Sequence, residues 1–305
     1  MNRIRLQAYG KINLSLDVLR QRPNGYHDVR MIMQTVKLHD NIDMERTDTP
    51  GIVLKTNLPF LPVNENNLMY RAAKMLMDEF HLEGGVRMSL RKVIPVAAGM
   101  AGGSADAAAV LYGMNRLFDL RLSLEELKKR GVQLGADIPF CLMRGTALSE
   151  GIGEILTPLP ALPACSIVLA KPAISVSTKA VYENLHVNTL PAEAHPDVDQ
   201  VIEALKAQDV RAVAGRMGNI LETVTSRQHP EIESIKERMM ELGALNAMMS
   251  GSGPTVFGLF DDPEKAQACY QALLSAKGSG LAKQVYLTEP WQQPSRSASG
   301  RRARQ

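Results

Sequence analysis

The chain has 305 residues, 45% apolar and 22% charged, ordinary proportions for a soluble globular protein and long enough that two domains are expected. Its formal charge is +3, but removing Arg296, Arg301, Arg302 and Arg304, which follow the last acidic residue Glu289, from the 35 basic residues leaves one fewer than the 32 acidic ones. The basic excess therefore belongs to a tail, and neither a nucleic-acid surface nor, with no signal-like start and no long apolar run, secretion or membrane insertion is expected. Cys141, Cys165 and Cys269 are scattered, odd in number and without a CxxC pair, which predicts a reduced cytoplasmic setting.

Residues 3–9 alternate, with Ile4, Leu6 and Ala8 on one side. After Gly10 the alternation resumes: Ile12, Leu14, Leu16 and Val18 face a core, while Lys11, Asn13, Ser15 and Asp17 share the other face. This period predicts strands. Pro23-Asn24-Gly25 predicts a turn, followed by a returning strand over 29–38. The spacing over 66–80 predicts a helix with Leu68, Ala72, Met75, Leu76 and Phe80 inward, and 86–93 reads as a strand. Ser123 with Glu126 predicts a capping box. The Pro-rich stretch 158–163 is the expected domain boundary. Beyond it, a strand over 166–170 precedes mostly helical sequence over 198–227. Then follow a helix over 231–242, strands over 244–249 and 255–260, a helix over 263–275 and a strand over 284–288. That order predicts most of a ferredoxin-like unit. The expected layout is a domain over 1–160, a second over 161–289 and a disordered tail over 290–305.

The most informative stretch is PVAAGMAGGSADAAAVLYGM, 95–114. Gly99, Gly102, Gly103 and Ser104 stand directly before an alanine-rich helical run. Small residues admit an anion close to the backbone, and a helix start points free N–H groups and a positive dipole end at it. A close helix–sheet contact is the alternative. No Walker Gly-Lys-Ser/Thr ending follows, and Ala101 breaks the dinucleotide pattern. The Ser104 hydroxyl could reach a phosphate or Mg²⁺, or cap the helix. From residue type alone, Lys11 reads as a solvated lysine and Asp137, in GADIPF, as a turn cap. Cys141 reads as a small buried hydrophobe, since no histidine stands beside it.

Three motifs, AYGKINLSLDV (8–18), PVAAGMAGGSADAAA (95–109) and MSGSGPTVFGLF (249–260), together resemble the GHMP kinase family over nearly the whole chain. KINLSLDVLRQRPNGYHDV, the NNL of 66–68, LGADIPFCLMRGTAL and GIGEILTPL resemble its members that act on a cytidine-bearing alcohol. The resemblance implies an α+β fold of two domains. The first would hold a left-handed βαβ crossover (ribosomal protein S5 domain 2-like), against the usual right-handed preference, and the second would be ferredoxin-like. It implies ATP and Mg²⁺ as cofactors and CDP-linked methylerythritol as acceptor, in a monomer or weak homodimer. ATP would meet Asn67, Pro95, Ala98, Gly99, Met100, Ala101, Gly102, Gly103, Ser104 and Ala105, with Ser104 on Mg²⁺. Asp137 would be the general base, with Lys11 beside it holding it ionised. Asn13, Tyr26, His27, Thr178 and Tyr182 would line the acceptor pocket, Tyr26 and Tyr182 sandwiching the base. The turn at 250–254 would close on the substrate side. Asp106 departs from a common asparagine form of the loop, and a carboxylate there would repel phosphates unless it faced Mg²⁺ or solvent.

Overall fold

The computed structural model describes residues 1–275 and 281–292. Two long strands, β1 (Arg3–Gln21) and β2 (His27–Thr47), form an antiparallel hairpin across the Pro23–Gly25 turn. There Asn24 Oδ1 accepts from the Tyr26 N–H. Next come β3 (Gly51–Thr56), α1 (Leu68–Glu79) and β4 (Gly85–Arg91), with β3 and β4 parallel and joined through α1. Asn67 caps α1, its Oδ1 accepting from Met69 N at 2.9 Å. Then follow α2 (Gly102–Leu117), α3 (Leu124–Leu134) with both capping-box bonds of Ser123 and Glu126 made, α4 (Ile138–Met143), β5 (Thr146–Glu150) and β6 (Ile155–Pro158).

The second half opens with β7 (Ser166–Lys171), α5 (Thr178–Glu183), α6 (Val198–Lys206) and α7 (Val210–Arg216). The two-residue β8 (Gly218–Asn219) follows, then α8 (Glu222–Gln228), α9 (Pro230–Glu241), β9 (Asn246–Met249), β10 (Val256–Phe260), α10 (Pro263–Ser275) and β11 (Gln284–Thr288). Its sheet has the order β11-β7-β10-β9, all antiparallel, which is the ferredoxin-like order. The first sheet runs β3-β4-β2-β1-β8, with β5 on β2 and β6 on β5. The chain therefore changes sheets between Pro158 and Ser166, but β8 returns to the first sheet beside β1.

From Gly10 to Val18 every residue of β1 is buried, on both sides. The apolar side packs on the second sheet: Ile12 and Leu14 join one core with Ile167, Leu169, Phe257 and Leu259. The other side carries Lys11, Asn13, Ser15 and Asp17, buried rather than solvated. A hairpin irregularity at Gly10 takes the Lys11 amide out of the ladder, and it donates to Met100 O at 3.1 Å instead. The bulge thus aims the strand at the glycine loop.

The expected disordered tail starts too early. Residues 293–305 lie outside the described residues, but Pro290 to Gln292 are placed. Pro290 bridges Val36, the Lys37 N–H donates to Glu289 O and the Trp291 N–H to Thr35 O. They fill the stretch of β2 between its pairings with β5 and β4. Trp291 lies near Tyr9 and the Arg144 guanidinium. Pairing through the backbone leaves no hydrophobic period to read. Ending the chain after Thr288 rather than after Gln292 should cost about 2–4 kcal/mol in urea unfolding, from two backbone hydrogen bonds and a half-buried tryptophan. Equal stabilities would show that this strap is not structural.

Candidate active site

The two halves enclose a cleft of about 1120 Å³. One wall is the glycine loop. Ala101, the residue just before α2, adopts a left-handed conformation (φ 54°), and no side chain caps the helix. The first N–H groups of α2 are therefore left for a ligand, and Gly102, Gly103 and Ser104 line the cleft there. Ala97 is also left-handed (φ 49°). Non-glycine residues in this region store about 1–3 kcal/mol each, strain that collects at functional sites. Ser104 lies inside the helix and does not cap it.

The glycine turn of the C-terminal half presses on this loop. Ser250 Oγ donates to Gly99 O at 3.0 Å. A Cβ on Gly99 (φ +72°) would fall 2.0 Å from Ser250 O, and one on Gly251 would fall 3.1 Å from Gly99 O and 3.4 Å from Lys11 Nζ. Backbone against backbone, the two loops leave no room for side chains at these positions.

Asp137 stands at the start of α4, and no cap hydrogen bond engages its side chain. Among the described residues its carboxylate has no ion-pair partner, and it lines the cleft. The turn-cap reading therefore fails. Lys11, 5% exposed, lines the same cleft. Lys11 and Asp137 share the cleft, with no ion pair between them among the described residues; the Lys11 ammonium donates to Asn13 Oδ1 at 2.7 Å. Burial, with Asp137 adding to it and Lys11 opposing, pushes the Cys141 thiol up, so it stays protonated and inert.

Asn13 is fully buried; it holds Lys11 and donates to Met31 Sδ, and does not reach the cleft. Tyr26, His27, Thr178 and Tyr182 do line it. The His27 and Tyr182 rings lie 5.0 Å apart, tilted, while Tyr26 is 59% exposed. Burial lowers the His27 pKa, favouring the neutral imidazole, which can both donate and accept. Thr178 Oγ1 lies 2.7 Å from Ser252 Oγ, tying α5 to the glycine turn.

Among the expected nucleotide contacts, Asn67, Pro95, Ala98, Gly99, Ala101, Gly102, Gly103 and Ser104 line the cleft. Met100 and Ala105 do not: the residues are 1% and 2% exposed and belong to the cores behind the loop. Asn67 lines the cleft through a carboxamide already engaged in the α1 cap and with Pro62 O.

Asp106 is 3% exposed, so it does not face open solvent, although it lines the cleft. Its Oδ2 accepts from Lys92 Nζ at 2.6 Å, and Lys92 also donates to Asp40 Oδ2 at 2.5 Å. Asp40 Oδ1 takes the backbone N–H groups of Val93 and Ile94. This buried triad joins β2, the entry to the loop and the first turns of α2. Burial pushes the Asp106 carboxyl up to about 8. Sequence reading missed Lys92 and Asp40, for a lysine in LRKVIP and an aspartate in KLHDNID carry no local signal that they meet.

The models described as GHMP kinases N terminal domain and GHMP kinases C terminal match residues 67–145 and 182–280. A 4-diphosphocytidyl-2-C-methyl-D-erythritol kinase of Lachnospira eligens is 58% identical over 289 residues, covering 95% of this chain and 99% of the relative. One of Lachnoclostridium phytofermentans is 55% identical over 288 residues, with 94% and 97% covered. A crystal structure of 4-(cytidine 5'-diphospho)-2C-methyl-D-erythritol kinase superposes with a TM-score of 0.80 at 31% identity, covering 95% of this chain and all (100%) of that one. A homoserine kinase from Cytophaga hutchinsonii, at 21% identity and a TM-score of 0.77 over 94% of this chain and 95% of its own, shares the fold. A two-domain α+β fold, a cleft walled by a glycine loop and relatives of this identity over almost the full length agree: the chain belongs to the GHMP kinase family, among its 4-diphosphocytidyl-2-C-methyl-D-erythritol kinases.

Proposed function

We propose that this kinase transfers the γ-phosphate of ATP to the C2 hydroxyl of 4-diphosphocytidyl-2-C-methyl-D-erythritol. The observation that carries the reading is one cleft lined by an uncapped helix start, a lysine and a carboxylate without a partner among the described residues. The N–H groups of the α2 start would hold the triphosphate. Asp137 would accept the C2 hydroxyl proton as its oxygen bonds to Pγ; the bond from Pγ to the β-phosphate oxygen breaks and ADP leaves. Lys11, kept in place by Asn13, would hold the acceptor oxygen and offset developing negative charge.

Mg²⁺ fits this arrangement. Ser104 lines the cleft in the first turn of α2, and its Oγ lies 3.9 Å from where a Cβ on Gly135 would sit. Among the described residues no cluster of three His, Cys, Asp or Glu forms a protein cage, which suits an ion that keeps water and phosphate oxygens as ligands. When bound, it would neutralise phosphate charge, with Ser104 as its protein ligand. No helix among the described residues is long and apolar enough to cross a membrane, and the three cysteines are free, which supports a cytoplasmic setting.

Tyr26, 59% exposed, lines the same cleft as the His27–Tyr182 pair. Tyr26→Ala should raise the Kd for CMP by roughly 5- to 150-fold, the loss of about 1–3 kcal/mol of stacking. An ATP analogue should lose less than about threefold and Tyr26→Phe should be nearly neutral, since the ring stacks. Calorimetry with CMP and the analogue checks both. Normal CMP binding in Tyr26→Ala, or a loss of the ATP analogue instead, would remove the cytidine pocket from this wall.

A further inference from the structure

The glycine turn, residues 250–253, belongs to the C-terminal half but bears on the N-terminal loop. Its own sheet does not explain how it is held there. β9 is the edge strand of that sheet, so the Met249 backbone groups that point away from β10 have no strand to meet. One short segment takes both. Glu222 Oε1 accepts from the Met249 N–H at 2.7 Å, and Asn219 Nδ2 donates to Met249 O at 2.9 Å. Asn219 Nδ2 also donates to Gly251 O at 2.8 Å, inside the turn, and its Oδ1 accepts from Leu221 N at 3.0 Å. Lys236 donates to the other Glu222 oxygen at 3.1 Å and keeps it in place.

Asn219 is anchored on its other side to the strand that carries Lys11. It is one of the two residues of β8, which pairs in parallel with Ser15 and Leu16 of β1. The Ile220 N–H donates to Leu16 O at 3.0 Å. Asn219, 7% exposed, thus connects the Lys11 strand to the turn through its carboxamide, and the turn meets Gly99 through Ser250 and α5 through Ser252. No other residue type of this size donates twice and accepts once from one side-chain end group.

We infer that Asn219 is a positioning residue for phosphoryl transfer, fixing the 250–253 turn, through Met249 O and Gly251 O, against Lys11 and the phosphate loop. The inference rests on the kinase reading of the cleft. A turn free to shift would let Gly99 and the Lys11 ammonium move relative to Asp137. Misplacement of reacting groups by about 1 Å can cost about 10²-fold in rate.

The test uses the full-length protein, the variants Asn219→Asp and Ser250→Ala, and the unaltered protein beside them. Asn219→Asp keeps size but turns one acceptor oxygen toward two carbonyls, where Nδ2 had donated to both. Ser250→Ala breaks the turn's bond to Gly99 from the far side and keeps the test alive should the first variant not fold. Rates are taken per folded molecule, counted by CMP titration. Asn219→Asp should lose about 10²-fold in kcat and raise the KM for ATP several-fold, with CMP affinity unchanged within about threefold. Ser250→Ala should lose about tenfold in kcat with the same unchanged CMP affinity. A merely structural role would lower the folded fraction and leave kcat and KM per folded molecule alone. Folded variants with kcat and KM for ATP within about twofold of the unaltered protein overturn the inference. If the unaltered protein itself releases no ADP with the CDP-linked acceptor, the kinase reading fails first and takes the inference with it.

Discussion

Asp137→Asn is expected to lose about 10²–10⁴-fold in kcat while still binding CMP and an ATP analogue, the usual range for a removed general base. The carboxamide matches the carboxylate in shape but cannot take the hydroxyl proton. Among the described residues no hydrogen bond or ion pair claims this side chain, and it makes no cap bond at the start of α4. The substitution therefore breaks no network, and melting should be unchanged within a few tenths of a kcal/mol. Cys141, close by, cannot substitute as a base because burial keeps its thiol protonated. Unchanged kcat in a folded Asp137→Asn protein would remove Asp137 from the mechanism.

Lys92→Met should have the largest effect on stability. Lys92, with its side chain 4% exposed, is the cation between Asp40 and Asp106, whose side chains are 0% and 5% exposed. Removing it strands two carboxylates without a counter-charge, a change that costs about 3–5 kcal/mol when a buried ion pair loses one partner. Denaturant unfolding at pH 8 should show that loss. The sign of the pH dependence follows from linkage. Burial already raises the Asp106 carboxyl to about 8, above its unfolded value of about 3.9. A group raised on folding binds more protons folded than unfolded, so its contribution to stability falls as pH rises. Without Lys92 the raise is larger, so the variant's loss relative to the unaltered protein should widen as pH rises through 8 and above, and narrow on return below it. A loss below about 1 kcal/mol, or one that does not change with pH, would contradict the triad as a buried charge network.

What the sequence displays follows from local rules. The 2.0 and 3.6 periods place β1 and α1, Ser123 and Glu126 cap α3 as their spacing predicts, and the strand and helix order of the second half gives the ferredoxin-like sheet. The glycine loop is legible because small residues before a helix serve one purpose well. Non-local facts are not legible. That Lys11 engages Asn13 and not Asp137 depends on how α4 lies over β1. Asp106 looks like a hazard to phosphate until Lys92, fourteen residues away, and Asp40 are folded against it. Met100 and Ala105 sit in a motif whose neighbours reach the cleft, yet the turns of the loop and the helix point them inward. Pro290 and Trp291 resemble a tail because strand completion by backbone alone needs no side-chain pattern. Asn219 sits in a stretch of helical character, and only the two-residue β8 shows what it holds.

The central claim is that this cleft joins ATP to one hydroxyl of one acceptor. It is tested most directly by incubating the protein with ATP, Mg²⁺ and 4-diphosphocytidyl-2-C-methyl-D-erythritol and following ADP together with the ³¹P spectrum of the product. The account predicts ADP and a new phosphate monoester in equal amounts. C2 bears no hydrogen, so the monoester resonance should lack the proton splitting that a phosphate on a CH or CH₂ carbon shows. Homoserine and mevalonate should release no ADP above the rate without acceptor. A split resonance, turnover with homoserine or mevalonate, or no ADP with the CDP-linked alcohol would contradict it.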